Sequence, residues 1–429
     1  MNDRDKPEIK TVVYFSPTLP LPNGAGIQKR AWSHLEALSA NAEVDLVLML
    51  TSGQISRGDD MSAAAARCRT VRVLRLEPTF RARNIRFPGL TAALRISTLG
   101  APSSRIAHSS ALKDFLSDLR AHQYDLAFFF RLRTFELVGA AVGDTRNVAH
   151  KLFLDLDDIE SIALKREFDT RSHQFGFEEK VLARLQQFEI SIAEKKALKQ
   201  VDGIGICSDK DADALRKRGT PAALVVVPNS LPNLRQLPPR HASGSTHILF
   251  LGTMTYQPND DGAIYFCNEI LPHIRAQAQQ PVSTEIVGRG PSPAVKALAD
   301  DKTISVTGEV DTVEPCYERA DIVVVPIRFG GGTRIKILEA LALGRPVVST
   351  SIGAEGLDLV DGRDILIADD VESFAAACLR LIADPELRRK MIASGRERFS
   401  ESYEASRVQK NMNAALQAIA QAPSPHRSV

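Results

Sequence analysis

The sequence is poor in the features that mark specialised protein classes. Its five cysteines are far apart in 429 residues and show neither a CxxC motif nor a Cys/His metal-binding spacing. We therefore expect reduced thiols rather than a disulfide framework or a zinc site. No apolar run approaches the ~18–20 residues of a membrane span, and the charged start MNDRDKPEIK lacks the apolar region of a signal peptide. These features together predict a cytoplasmic location.

A strong overall charge of either sign is also missing. The formal net charge is +2, which is too small to indicate a class of binding partner. Because the sequence has no nucleic-acid-binding motif, we expect no nucleic acid partner. The local exception runs from Arg67 to Arg105, with nine arginines and one acid, Glu77. Phe80 and Phe87 are interleaved with these arginines. Such a run predicts peripheral contact with an anionic membrane at its inner face, and a solvated face next to a strand is the alternative.

Short apolar runs alternate with helical periodicity along the chain. Many runs are apolar on both faces, which is typical of parallel strands covered by helices on both sides. Because 429 residues are too many for one core, the predicted fold class is α/β, with two doubly wound Rossmann-like domains facing a cleft. The predicted strands are 11–16, 44–50, 70–76, 124–130, 149–156, 203–208, 223–228, 247–252, 284–288, 304–308, 321–327, 346–350 and 364–368.

The domain boundary is predicted from a proline-rich stretch without helical period, residues 228–246. We expect an N-terminal acceptor domain over residues 1–230, a linker over 231–246 and a donor domain over 247–400. Residues 401–429 are predicted to form a C-terminal helix with a frayed tail.

The most unusual chemistry lies in residues 327–350, IRFGGGTRIKILEALALGRPVVST. A buried strand is followed by three glycines, by Thr333 as predicted N-cap, and by a helix that Gly344 ends. Glycines let a ligand approach the backbone closely. Arg334 and Lys336 at the positive end of a helix cost roughly 0.3–1 kcal/mol each unless an anion lies there. The pattern predicts a site for a diphosphate.

Glu339 adds a second signal. At 100° per residue it lies between Ile335 and Leu343, on the packed side of the helix, where a carboxylate needs hydrogen-bond donors. The hydroxyls of a ribose would supply them. The alternative is a glycine-rich turn beside a glutamate that reaches the surface.

Five segments of the second half carry a family resemblance: FLGTMTYQPNDDG, EIVGRGP, VTGEV, ADIVVVPIRFGGGTRIKILEALALGRPVVSTSIGAEGL and DILIADDVESFAAACLRLIADPELRRKM. They resemble the GT-B-fold glycosyltransferases of the retaining glycogen-synthase and sucrose-synthase type, in particular bacterial members that build polysaccharides. The resemblance implies sugar transfer from a UDP- or GDP-sugar to a saccharide or lipid-linked acceptor, with no metal and no other cofactor. The donor would bind the second domain and the acceptor the first.

The resemblance also implies donor-binding residues. Glu339 matches the glutamate that holds the donor ribose. The chain departs from the family in two places, because Gly331 stands where many members have a second glutamate, and the loop after Gly252 lacks the usual Arg and Lys. The diphosphate is then expected to rely on the remaining cations. The predicted donor set is Gly252, Thr253, Arg289, Gly330, Gly331, Gly332, Thr333, Arg334, Lys336 and Glu339.

In the first half, residues 16–38 (SPTLPLPNGAGIQKRAWSHLEAL) are similar to the family loop that faces the donor phosphate and the acceptor. The implied residues are Asn23, Gly24, Gly26 and Arg30, with the helix predicted to begin at Arg30. Taken alone, the segment is a flexible loop between a strand and a helix.

The acidic stretch 152–161, LFLDLDDIES, allows three interpretations. Asp155 and Asp157 could hold Mg²⁺, could orient acceptor hydroxyls, or Asp157 or Asp158 could cap the next helix. We favour the acceptor role. The predicted catalytic set is Asp155, Asp157 and Gly331, with no histidine singled out as a base. A nucleotide-sugar 2-epimerase of the same fold and a non-catalytic nucleotide-sugar-binding protein are the alternative functions.

Overall fold

The computed structural model describes residues 8–51, 61–76, 123–172, 175–238, 244–331 and 334–423. The chain forms two compact units, one of Met1–Pro228 with Gln409–Val429 and the other of Asn229–Val408. Each unit is built around one parallel β-sheet. The two doubly wound sheets confirm the predicted α/β class.

The first unit contains a seven-stranded sheet in the order β3-β2-β1-β4-β5-β6-β7. Its central strands are apolar on both faces, and the side chains of Phe128 and Phe129 are fully buried on β4. Phe15 stacks on Phe129 with the ring centroids 4.9 Å apart. The strands are β1 (Thr11–Ser16), β2 (Glu43–Thr51), β3 (Thr70–Leu76), β4 (Tyr124–Phe130), β5 (Ala149–Asp155), β6 (Gly203–Ile206) and β7 (Ala223–Val226).

Helices link these strands and cover the sheet. They are α1 (Gly26–Ser39), α2 (Ser62–Ala65), α3 (Leu132–Val142), α4 (Glu160–Arg171), α5 (Phe177–Leu198) and α6 (Asp209–Lys217), with a 3₁₀ turn at Thr145–Asn147. N-capping side chains explain where some of these helices begin. At the start of α6, Ser208 Oγ accepts a hydrogen bond from the Asp211 N–H at 3.1 Å.

The second unit contains a six-stranded parallel sheet in the order β10-β9-β8-β11-β12-β13. Its strands are β8 (Thr246–Leu251), β9 (Val282–Val287), β10 (Ile304–Gly308), β11 (Ile322–Val325), β12 (Val347–Ser349) and β13 (Leu366–Ile367). The strand order reverses between β8 and β11. In doubly wound sheets, ligands bind at the carboxyl edge near such a reversal.

The helices of this unit are α7 (Gln257–Tyr265), α8 (Leu271–Gln277), α9 (Pro293–Ala297), α10 (Glu314–Arg319), α11 (Ile335–Leu343), α12 (Val371–Ala383) and α13 (Pro385–Ser402). A π-helical turn at Phe266–Ile270 joins α7 to α8, and a 3₁₀ turn at Leu298–Asp300 follows α9. The sheet is covered on both faces: Ile248 and Phe250 pack in one cluster, whereas Leu249 and Leu251 pack in the other. All predicted strands are confirmed, with ends shifted by a few residues.

The structure places the boundaries differently from the predicted domains. Part of the predicted linker belongs to the second unit, because the N–H of Leu231 donates to the Tyr403 carbonyl and that of Leu237 to the Leu343 carbonyl, both at 3.1 Å. The predicted break at residue 400 moves to Val408. The final helix α14 (Ala405–Gln421) joins the first unit from Gln409 onward. The predicted frayed tail lies largely outside the described residues.

The basic segment is described only as far as residue 76. There, Arg67 lies over the Trp32 ring at 5.0 Å and pairs with Glu36 at 3.0 Å, and Arg69 pairs with Asp45 at 2.6 Å. These two arginines make contacts within the first unit and stabilise its fold. The rest of the predicted membrane-contacting run lies outside the described residues. Among the helices that the structure describes, none is long and apolar enough to cross a membrane.

Candidate functional site

The glycine loop and helix α11 lie at the carboxyl edge of the second sheet. Helix α11 begins at Ile335 with Arg334 as its N-cap, so the prediction of Thr333 as N-cap is wrong. Gly344 ends the helix with a φ of 74°, as predicted. Gly332 and Thr333 lie outside the described residues.

Gly330 needs to be glycine for two reasons. Its φ is +105°, and a Cβ there would lie 2.5 Å from the Tyr256 hydroxyl oxygen. The same hydroxyl accepts a hydrogen bond from the Gly331 N–H at 3.3 Å. Tyr256, in the loop after β8, thus holds the glycine loop after β11, and sequence reasoning did not assign it this role.

The two predicted cations lie at the start of α11. The buried Arg334 donates from Nη1 to the Gly331 carbonyl at 2.5 Å. Lys336 donates from Nζ to Asn259 Oδ1 at 2.7 Å and lies 5.1 Å from the centre of the Phe250 ring. Burial and then the charge of Arg334 lower the pKa of Lys336 to about 7, against the opposing charge of Glu339.

Asn259 links Lys336 to the other predicted donor residues. Its Nδ2 donates to the Thr253 carbonyl at 2.9 Å, and a Cβ on Gly252 would lie 2.6 Å from its side chain. Next to this loop, the carbonyl of the exposed Arg289 accepts the N–H of Met254 at 2.9 Å. The loops after β8, β9 and β11 therefore meet at one edge, as the donor set requires.

Glu339 is buried, with 7% of its surface exposed. The Tyr317 hydroxyl donates to its Oε2 at 2.9 Å and to the Lys336 carbonyl at 3.0 Å. Burial, and then the charge of Glu339, raise the pKa of Tyr317 well above its usual value. Tyr317 holds Glu339 in a fixed position on the packed side of α11. Sequence reasoning missed Tyr317, because it lies on another helix, 22 residues away.

A second group of charged residues lies at the carboxyl edge of the first sheet. Asp155 ends β5 with no exposed surface and accepts hydrogen bonds from Arg30 Nη2 at 2.7 Å and Nε at 3.1 Å. Burial alone would raise the pKa of Asp155, but the charge of Arg30 and then His34 hold it well below its usual range. Asp155 is therefore an ionised partner of Arg30, which corrects its predicted direct contact with an acceptor.

Arg30 itself is buried in the second turn of α1. The helix begins at Gly26, so the predicted start at Arg30 is wrong. Arg30 also donates from Nη1 to the Val227 carbonyl at 2.9 Å. Of the other predicted loop residues, Asn23 is exposed and Gly24 packs on the Gln28 side chain, where a Cβ would lie 2.6 Å from Oε1.

Asp157 lies between two arginines and a thiol. Its Oδ2 accepts from Arg131 at 2.5 Å, its Oδ1 accepts from the Cys207 thiol at 2.9 Å, and Arg30 Nε lies 3.5 Å away. Both Arg131 and Asp157 have positive φ, 73° and 63°, a backbone conformation that functional sites often keep at a cost. Arg131 also donates to Asp158 at 2.9 Å. Because guanidinium groups occupy these carboxylates, the Mg²⁺ interpretation has no support here.

Two further results concern this edge. Helix α4 begins at Glu160 with Ile159 as its N-cap, so neither aspartate caps it. The buried His34 lies with Nε2 3.2 Å from Asp155 Oδ2. Burial, and then the charge of Arg30, lower its pKa despite the opposing charge of Asp155. His34 and Arg131 were missed from the sequence: His34 lies in the quoted segment 16–38 as a single histidine without a signal of its role, and Arg131 belongs to no motif.

Comparisons with known proteins place these sites in context. Residues 245–384 match the family model described as glycosyl transferases group 1. A phosphatidyl-myo-inositol mannosyltransferase of Mycolicibacterium smegmatis is 30% identical over 157 residues, 35% of this chain and 40% of that protein. An uncharacterized 44.6 kDa protein in the cps region of Klebsiella pneumoniae is 25% identical over 170 residues, 38% of this chain and 44% of that protein. The chain thus spans about half or less of the curated relatives that it matches.

Solved structures match nearly the whole chain. Sucrose-phosphate synthase from Thermosynechococcus elongatus superposes with a TM-score of 0.66 at 16% identity, over 96% of this chain and 99% of that one. TarM superposes with a TM-score of 0.64 at 11% identity, over 97% of this chain and 99% of that one. Anabaena HepE in complex with UDP and glucose superposes with a TM-score of 0.60 at 14% identity, over 96% of this chain and 100% of that one. The fold is therefore that of the GT-B glycosyltransferases, and the second unit carries the group 1 sequence match.

Proposed function

We propose that the protein is a glycosyltransferase that moves a sugar from a nucleoside diphosphate sugar to a saccharide or lipid-linked acceptor. The observation that carries this proposal is the juxtaposition of Arg334, Lys336 and Glu339 on the first turns of α11, inside the segment that matches the group 1 family. We further propose that transfer retains the anomeric configuration, needs no metal and serves polysaccharide or glycoconjugate synthesis.

The charges of α11 suit a diphosphate. Arg334 and Lys336 oppose one another when no anion is bound, which contributes to the lowered pKa of Lys336. An anion at the helix start would offset this repulsion, and the amides of the glycine loop and the helix dipole would add to the attraction. Glu339, held by Tyr317 at 2.9 Å, would accept hydrogen bonds from the two ribose hydroxyls. Gly331 would lie beside the transferred sugar.

The relatives support the choice of substrates. HepE binds UDP and glucose in one structure and UDP-glucose in another, so a UDP-sugar is the first donor to test, and a GDP-sugar the second. The mannosyltransferase is named for a phosphatidyl-inositol acceptor, and the Klebsiella relative is named for its cps region. We therefore propose a cytoplasmic enzyme that acts on a saccharide or lipid-linked acceptor, with peripheral contact to the inner face of the membrane.

We assign acceptor handling to the first unit. Asp157, Asp158 and Arg131 are tied together at the carboxyl edge of the first sheet. Asp155 and His34 lie behind them, where Asp155 fixes Arg30. In this arrangement Asp157, which is 5% exposed and is held by Arg131, is the candidate to orient acceptor hydroxyls. Asp155, which has no exposed surface, acts only through Arg30 as a positioning residue.

Thermal stabilisation across UDP- and GDP-sugars tests donor binding first. The protein is then incubated with the stabilising donor and an acceptor mixture, and the products are separated. Free nucleoside diphosphate with a new glycoside supports the proposal. An epimerised sugar would indicate the 2-epimerase, and stabilisation without turnover would indicate a binding protein. Glu339→Ala should abolish stabilisation, while Glu318→Ala, at an exposed glutamate beside Tyr317, serves as the matched control.

A further inference from the structure

Helix α5 of the first unit exposes its most apolar side chains. Five of them are between 42% and 83% exposed, whereas soluble helices normally turn such residues inward. The five are Phe177, Val181, Leu185, Phe188 and Ile192, which we call the α5 stripe. Leu182, Ala197 and Leu198 on the other side of the helix are buried. The donor and acceptor residues proposed above do not use this surface.

The α5 stripe is narrow. At 100° per residue its members lie within an arc of about 80°, and from Val181 to Ile192 they follow the alternating spacing of four and three residues. A helix that lies flat in a membrane interface has a broader apolar face, whereas a strict seam of this width is typical of helix-to-helix packing in coiled coils. The exposed Lys195 lies on the line of the stripe in the last turn of the helix, so the apolar face ends there in a charge.

The charged residues at the two ends of α5 indicate how a partner helix would run along the α5 stripe. The first turn of α5 is acidic, with Glu178 and Glu179, and its last turn is basic, with Lys195 and Lys196. Val181 and Ile192, Leu185 and Phe188, and Glu178 and Lys195 are each placed equally far on either side of the midpoint between Gln186 and Gln187. Such a helix is complementary to a copy of itself running in the opposite direction.

We infer that α5 pairs antiparallel with α5 of a second copy of this chain, across a two-fold axis that passes near Gln186 and Gln187. In this register Val181 packs on Ile192 of the second copy, and Leu185 on Phe188. Glu178 meets Lys195 of the second copy at both ends, which is the isologous pattern of a two-fold dimer. The four stripe residues from Val181 to Ile192 are thereby removed from water in both copies.

Sedimentation of the full chain over a concentration series tests the pairing. We expect a dimer, and Phe188→Lys should make the protein monomeric, because the charge would be buried at the seam. Val360→Lys, at an apolar residue of the second unit that is 44% exposed, is the matched control and should leave the dimer intact. Unchanged far-UV circular dichroism spectra of both variants show that folding is preserved, because a lost dimer contact would by itself shift the melting temperature. A monomeric wild type, or a Phe188→Lys protein that stays dimeric, overturns the inference.

Charge exchange tests the direction. Glu178→Lys and Lys195→Glu should each weaken the dimer by about tenfold, because two attractive pairs become repulsive. Mixing the two variants should restore association, since the new lysine of one variant then faces the new glutamate of the other. In a parallel pair each of these residues would face its own counterpart, so neither single exchange would weaken the dimer. The antiparallel dimer is overturned if the single variants associate as strongly as the wild type, or if their mixture fails to associate. It is also overturned if Phe188→Lys loses binding to anionic liposomes while its mass in solution stays that of the wild type.

Discussion

Lys336 gives the sharpest prediction, because its pKa is lowered to about 7 when no ligand is bound. A diphosphate next to Nζ would favour the charged ammonium and raise this pKa. At pH 8 about 0.9 of the ligand-free protein then carries a neutral Lys336, so binding of a UDP-sugar should take up about 0.9 proton. The affinity for the UDP-sugar should therefore be greatest below pH 7 and should fall as the pH rises through the pKa of Lys336 in the ligand-free protein.

The size of the change in affinity with pH follows from the same pKa of Lys336. Between pH 7.5 and 8.5 the apparent affinity for the UDP-sugar should fall about eightfold, approaching tenfold per pH unit at higher pH. Calorimetry in two buffers of different ionisation enthalpy measures the proton uptake, and the affinity series measures the slope. A UDP-sugar is chosen because its diphosphate ester has no phosphate proton to lose in this range.

Two variants separate Lys336 from other titrating groups. Lys336→Arg carries a permanent charge and should bind with a flat profile over this pH range, with no proton uptake. Lys336→Gln should bind weakly at every pH, also without uptake. The reasoning is refuted if the wild type takes up no proton at pH 8, or if Lys336→Arg keeps the pH dependence of the wild type.

Three further predictions concern single residues. Glu339→Gln should weaken UDP-sugar binding by about 10- to 100-fold in calorimetry, because a charge-assisted acceptor is lost; unchanged affinity would remove the ribose role. Asp155→Asn should lower the free energy of unfolding by about 3–5 kcal/mol in urea titrations, since the buried Arg30 loses the carboxylate that lies 2.7 Å from its Nη2, and a loss below about 1 kcal/mol would show that the ion pair is not structural. Gly330→Ala should cost about 1–3 kcal/mol of stability or donor affinity through its positive φ and the Tyr256 hydroxyl, and an alanine protein equal to the wild type would contradict the strain.

The strands of both sheets were predictable because buried parallel strands leave a direct signal. The runs YDLAFFF and DIVVVPI are short, apolar on both faces and rich in aromatic or β-branched residues, which favours buried parallel strands over helices. Ends and boundaries were less predictable. Helix α1 begins at Gly26 rather than Arg30, and α14 crosses from one unit to the other, since such features depend on packing between distant segments.

The geometry of the candidate donor site was largely predictable, since the predicted residues are concentrated in one motif. Arg334, Lys336 and Glu339 lie within six residues of chain, and helical geometry alone brings them together. Tyr317, which holds Glu339, and Asn259, which holds Lys336, come from other elements. Tyr317 lies outside the segments that carry the family resemblance, and Asn259 lies inside one of them, FLGTMTYQPNDDG, without a signal of its role. Their roles arise from the neighbourhood of β8, β11 and α11 in the folded unit.

The edge of the first sheet shows why an acidic motif alone misleads. From the sequence, Asp155 and Asp157 are equivalent carboxylates after a strand, two residues apart. The fold gives them different surroundings, because the first is sealed against Arg30 with no exposed surface, while the second is 5% exposed, adopts a φ of 63° and is held by Arg131. Arg131 follows β4, the strand beside β5 in the sheet, and its guanidinium donates hydrogen bonds to Asp157 and Asp158 in the loop after β5. A sequence pattern shows the carboxylates but not the two cations, Arg30 from α1 and Arg131 from the end of the adjacent strand, that hold each of them in place.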